Sequence, residues 1–169
     1  MKNKGLTLIE VIISLFLLTM GVMGTFVILQ KIIGYGSLIS SRLTAAYLAQ
    51  EGIELVRNAR DTYWLDESID WSPDFLEDIN FCSSAGNGCK IDYNDSDFSN
   101  YNDWDYLKID SGFYNYDSGV NTKFKRKITI DVGASSQDTL KVIVEVSWQD
   151  KGQSNKILVQ ENLYNWWGD

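Results

Sequence analysis

The chain has no histidine, one proline and two cysteines among its 169 residues. Without histidine it lacks both the commonest general base and the commonest zinc ligand. Its carboxylates are scattered through loop-like segments, so neither an acid–base pair nor a nucleophile with its base can be assembled, and catalysis is the least supported class of function. Charge is missing too, from residues 11–29, and the lone proline, Pro73, falls well outside that run. Bases are in deficit overall: the net charge is −8, a balance that opposes nonspecific nucleic-acid binding.

What is present begins with that uncharged run. Nineteen residues at about 1.5 Å each approach the ~30 Å hydrocarbon thickness of a bilayer, and residues 6–9 extend the run. Twelve of the nineteen are Leu, Ile, Val or Phe. At about −0.3 to −0.6 kcal/mol each, they contribute roughly −4 to −7 kcal/mol to insertion. The segment reads as a membrane-spanning helix. Glu10, at its beginning, is out of place: a carboxylate at a bilayer centre costs on the order of 2.5 kcal/mol and calls for a partner, although one near the headgroups is tolerated.

Ahead of the run stand Lys2, Lys4 and Gly5, and Glu10 lies five residues beyond that glycine. A secretory signal peptide would instead place its small-residue cleavage site after the apolar core. Gly5-Leu6-Thr7-Leu8-Ile9-Glu10-Val11 resembles the prepilin signature of type IV pilins and pseudopilins. The resemblance implies cleavage between Gly5 and Leu6 by a prepilin peptidase, methylation of the new N-terminus at Leu6, and Glu10 engaging the amino terminus of a neighbouring subunit. Leu6 departs from the usual phenylalanine, with slower processing as the most that should follow. The span also lacks the proline many major pilins carry, which leaves Gly21 and Gly24 as its weakest points.

Cleavage removes Lys2 and Lys4 and takes the net charge from −8 to −10. With those lysines inside, the positive-inside rule places the N-terminus in the cytoplasm and the remainder outside. The expected order is a leader over residues 1–5, a transmembrane and filament-core helix over 6–33, and an exported head over 34–169. On the exported side Cys82 and Cys89, the only cysteines, are expected to form a disulfide across a small, flexible loop that offers no other soft metal ligand.

The helix should continue past the Gly- and Ser-bearing residues 34–41. At 100° per residue, Ala45, Leu48, Ala49, Gly52, Leu55, Val56 and Ala59 share one side, with Gln50, Glu51, Glu54, Arg57, Asn58 and Asp61 opposite. Small residues in the stripe would let a sheet approach closely. The helix should end at residues 61–64, a reach of roughly 80 Å.

Residues 62–105 read as a long connection. Within it, Asp92, Asn94, Ser96 and Asp103 occupy calcium-loop positions one, three, five and twelve. Asp97 stands where an EF-hand needs glycine and Asp103 where it needs a bidentate Glu, so a solvated loop is the expectation. No metal or other cofactor is expected.

An antiparallel sheet of about four or five strands is expected over residues 106–169. Ser111-Gly112 should turn a hairpin with Leu107 opposite Tyr116 and Ile109 opposite Tyr114. Residues 123–132 and 139–148 alternate sharply. Setting Val132 opposite Leu140 keeps their apolar faces together, and the same register faces Lys127 with Glu145 and Asp131 with Lys141. Arg126 then falls on the apolar face and should lie near the sheet's end, reaching water or a carboxylate. Lys123, Lys125, Arg126 and Lys127 could form a DNA-binding patch, but the interleaved acids favour a solvated face. A third strand is expected over residues 156–163, its inward face unassigned. The aromatic end, including Trp166 and Trp167, should seal the sheet edge rather than stack a ligand.

The fold class is therefore α+β: a long N-terminal helix, its outer half packed on an antiparallel sheet. Residues 124–130 and 146–150 also resemble the sheet of minor-pilin-like members. The function implied is that of a structural subunit, an inner-membrane prepilin drawn into a type IV filament. Its partners would be other pilin subunits, the prepilin peptidase, the assembly platform and, before assembly, the membrane. A pseudopilin of a type II secretion system and a non-polymerising, membrane-anchored surface binder are the competing readings.

Overall fold

A computed structural model describes residues 5, 7–65, 75, 77, 79–132 and 139–165. It divides into two compact units, Met1–Ser41 and Arg42–Asp169. One helix, α1, runs from Leu8 to Leu65. The expected stop at residues 61–64 is thus corrected: those residues are helical, and the chain leaves the helix only after Leu65.

In the first unit, α1 is apolar on every side. Leu15, Phe16, Leu17 and Leu18 are successive residues, hence spread around the helix, and each is 58–64% exposed. The three hydroxyls of the uncharged run, residues 11–29, bond to their own helix: Ser14 to the Glu10 carbonyl, Thr19 to that of Phe16 and Thr25 to that of Val22, at 2.7–2.9 Å. These donors therefore need no outside partner, as a hydrocarbon environment requires. By length and composition, α1 can cross a membrane.

In the second unit, α1 carries a one-sided core. Ala45, Leu48, Ala49, Gly52 and Val56 of the expected stripe are buried, joined by Ile53, while Leu55 and Ala59 are half-buried. Gly52 is small for a reason. A Cβ there would meet Val144 Cγ1 at 2.9 Å and the Arg126 Cδ at 3.2 Å, so glycine sets how closely the helix approaches the sheet.

That sheet has five antiparallel strands: β2 (Ser99–Asn100) at one edge, β1 (Cys89–Lys90) beside it, then three long strands, β6 (Phe124–Val132), β7 (Thr139–Asp150) and β8 (Gln153–Tyr164), in that order. The β6–β7 register matches the sequence expectation, with Val132 facing Leu140, Lys127 facing Glu145 and Asp131 facing Lys141. Leu140, Val142, Val144, Val146 and Trp148 are buried together with Phe124, Ile128 and Ile130. The link from β7 to β8 passes through Lys151 and Gly152, both at positive φ (50° and 80°), as a two-residue hairpin turn requires.

β8 begins three residues earlier than expected. Its inward positions, set by pairing with buried β7 residues, are Asn155, Ile157, Val159, Glu161 and Leu163. The inward charge is tied down: Arg57 of α1 donates to Glu161 at 2.6 Å and also pairs with Glu54. That bond is the main reason the Arg57 pKa is raised. The aromatic residues Trp166 and Trp167, expected to seal the sheet edge, lie outside the described residues.

Two strands arise where only a connection was expected. β1 (Cys89–Lys90) pairs with β6 and with β2 (Ser99–Asn100), extending the main sheet into residues 89–100. Conversely, the expected hairpin forms a second sheet of its own from β3 (Lys108–Asp110), β4 (Phe113–Asn115) and β5 (Val120–Asn121), in the order β4-β3-β5. Its register is the expected one where paired, Ile109 opposite Tyr114. Cys82, closing a short 3-10 turn over Asn80–Cys82, is disulfide-bonded to Cys89 at the start of β1.

Arg126 requires a correction. It lies inside the core rather than near water, with no exposed surface, because β6 aims it at α1, and of the two expected ways to satisfy its charge it takes the carboxylate. Its guanidinium meets Glu51 at 3.0 Å, the Leu48 carbonyl at 3.2 Å and the Ile91 carbonyl at 2.7 Å. Such pairing is what makes a buried cation tolerable. The four-residue basic cluster is correspondingly not one patch. Arg126 points inward, while Lys125 and Lys127 lie over the rings of Tyr106 and Tyr101 at 4.6 and 5.9 Å.

Candidate assembly site at the start of the helix

Of the site residues expected from the sequence, Gly5 and Glu10 lie at the beginning of α1, while Cys82 and Cys89 form the disulfide in the head. Gly5 is exposed and outside the helix, as is Thr7; Leu6 lies outside the described residues. Thr7 caps the helix. Its carbonyl accepts the N–H groups of Glu10 (3.1 Å) and Val11 (3.2 Å), and its hydroxyl accepts from Glu10 N–H at 3.4 Å. Cleavage after Gly5 would therefore leave a helix that starts almost at its new terminus.

Sequence reasoning missed the cap, although the signal was available. Thr7-Leu-Ile-Glu10 has the spacing of a capping box, in which a threonine is followed three residues later by a glutamate. Glu10 is thereby placed in the first turn, where the exposed N–H groups and the helix dipole favour a negative charge. Its side chain is exposed, and among the described residues it has no ion-pair partner. Beyond it, the helix carries no charge until Lys31.

The weak calcium-loop match at residues 92–103, for which a solvated loop was the expectation, falls on a segment whose first acid is built into the fold. Asp92 is buried, with its two oxygens accepting from Asn94 N–H (2.9 Å) and Tyr116 N–H (2.7 Å). Its nearby acids are Asp95 and Asp117, their carboxylate oxygens all within 4.8 Å, rather than Asp103. Asp92 works as a fastener between β1 and the second sheet. Tyr116 belongs to the same region, donating its hydroxyl to the Arg126 carbonyl at 3.0 Å, and burial pushes its pKa to about 12.

Compared with known families, residues 1–26 match the prokaryotic N-terminal methylation motif. No curated protein and no solved structure matches the chain. The matched stretch includes Gly5, Thr7, Glu10 and the first half of the apolar run, and it supports a type IV pilin or pseudopilin, a class of structural subunit that assembles with other pilins and is processed by a prepilin peptidase. The motif and the apolar helix together fit single-pass membrane anchoring before assembly into a surface filament. Over residues 1–26, the chain thus carries the type IV pilin and pseudopilin signature.

Proposed function

We propose that this chain is a minor structural subunit of a type IV pilus-like filament and has no enzymatic role. The leader, residues 1–5, lies in the cytoplasm and the head outside. The prepilin peptidase cuts between Gly5 and Leu6, Leu6 is methylated, and the subunit waits in the inner membrane until the assembly platform draws it into the polymer. Residues 6–33 then exchange lipid for the helices of neighbouring pilins. Glu10 pairs with the new amino terminus of a neighbour, which relieves two desolvated charges at once. Nucleic acid is not a partner in this reading.

One observation carries the proposal: an apolar helix, exposed on every side, begins within a methylation motif and holds its only early carboxylate in the first turn. The same signature serves pseudopilins, so a type II secretion pseudopilus is the alternative assembly. The test compares wild type and Glu10→Ala for abundance in membranes and in filaments sheared from cells. Leaving a buried terminal ammonium unpaired costs about 3 to 5 kcal/mol. Filament incorporation should therefore fall by at least about a hundredfold, with membrane levels unchanged. Equal incorporation of the two proteins would refute the assigned role of Glu10, and wild type absent from every filament would refute the function itself.

A further inference from the structure

Within the head, the last turns of α1, the 3-10 turn and residues 91–98 enclose a cavity of about 470 Å³. That volume is in the usual range for small-molecule sites. Its walls include Tyr63, Phe75, Phe81 and Phe98, and its charged lining among the described residues is Asp92, Asp95 and Asp97, beside the neutral polar groups of Asn58, Thr62 and Ser96. Among the described residues no lysine or arginine lines it.

The two features ask for the same ligand. Aromatic faces attract cations, and a concave wall of one charge sign concentrates counter-ions. Among the described residues none of the three carboxylates is in an ion pair. Asp92 is held by backbone N–H groups alone, Asp95 accepts only the Asp92 N–H at 2.9 Å, and Asp97 has no ion pair among the described residues. Burial raises the Asp95 pKa and the neighbouring charges of Asp92 and Asp117 add to the rise, while the hydrogen bond from Asp92 N–H and the charge of Lys90 offset only part of it. An anionic ligand would be repelled, and a neutral one would leave the carboxylates uncompensated.

We propose that this cavity binds an organic ammonium ion, its hydrocarbon body against Tyr63, Phe75, Phe81 and Phe98 and its charge at Asp95 and Asp97. The site belongs to the head alone and does not depend on the filament reading.

The test is ligand-observed NMR of n-butylammonium with the full chain in nonionic micelles, empty micelles serving as the blank. Binding should be saturable and should weaken by about tenfold in Asp95→Asn/Asp97→Asn, the equivalent of about 1.4 kcal/mol. Asp97→Asn alone, at an exposed position, should give part of that loss with thermal unfolding unchanged. Four results would overturn the proposal: no binding; equal binding of n-butanol or methyl glucoside; no loss in the double variant; or displacement of the ammonium by micromolar calcium, which would make the carboxylates a metal site.

Discussion

The two halves of α1 obey one rule of helix geometry and reach opposite outcomes. Residues 8–40 carry large apolar side chains all round the helix, exposed even where four follow in succession. Residues 42–65 carry a stripe of Ala, Gly, Leu, Ile and Val on one side and charge on the other, and that stripe is buried. The second half finds its partner within the chain. Among the described residues the first half has none, and in the proposed function its apolar surface is covered by a bilayer at first and then by other helices. Side-chain size follows the same division. Large residues suit a fluid or many-sided surround, whereas a sheet fixed at one distance demands small ones.

The division predicts that damage to the head core lowers the stability of the head and leaves insertion alone. The largest effect is expected at the buried cation. Glu51→Ala leaves Arg126 without its carboxylate in a site with no exposed surface. Breaking a buried pair costs about 3 to 5 kcal/mol, and because Glu51 is one-third exposed the loss should fall near the lower figure. Denaturant unfolding of the full chain in micelles measures it, and membrane insertion should not change. A loss of insertion would show that the two halves are not energetically separate.

The disulfide comes next. Opening the Cys82–Cys89 loop with the double variant Cys82→Ser/Cys89→Ser should cost about 2.5 kcal/mol, the entropy estimate for a loop of about eight residues. The same unfolding assay reads it, with reductant on wild type giving a matching shift. Gly52→Ala should cost about 1 to 2 kcal/mol, since overpacking against Val144 and Arg126 outweighs the gain of up to about 1 kcal/mol in helix propensity. An alanine at an exposed glycine of the first half, Gly21→Ala, should not destabilise the head at all, because nothing lies within 4 Å of its added Cβ.

The smallest effect is alkaline. Burial is the leading cause that pushes the phenol pKa values of Tyr101 and Tyr116 from 10.0 to about 12. The folded head therefore holds these protons more tightly than the unfolded chain. The stabilisation from these neutral phenols is complete below pH about 10 and declines as pH rises to about 12. Phenolate absorbance should show two late-titrating tyrosines, and unfolding should become easier over the same interval. Ordinary titration of all nine tyrosines would contradict the packing described for these two.

Much of this was legible in the sequence wherever periodicity was strong. The apolar run, the helical stripe and the β6–β7 register each rest on a repeat that a single face must satisfy, and a one-residue slip of β6 would have turned its apolar side to water. That register also placed Arg126 on the apolar face. Its depth, and the choice of Glu51 as partner, depend on where α1 crosses the sheet, which no local pattern encodes. β8 concealed its inward face because Asn155 and Glu161 occupy inward positions, and the explanation for Glu161, Arg57, lies far away on the helix. β1 and β2 are two residues each, too short to show alternation. At the assembly site the prepilin motif was plain. The Thr7 cap was equally readable from its spacing to Glu10, whereas the approach of Asp117 to Asp92 and Asp95 required the fold.

The account depends most on the transfer of an unpartnered apolar helix from bilayer to polymer after its leader is removed. Intact-mass and N-terminal analysis of this chain, recovered from sheared cell-surface filaments, tests that directly. The expected product begins at Leu6 with one added methyl group and retains Glu10. A chain still beginning at Met1, found in membranes and absent from filaments, would contradict it.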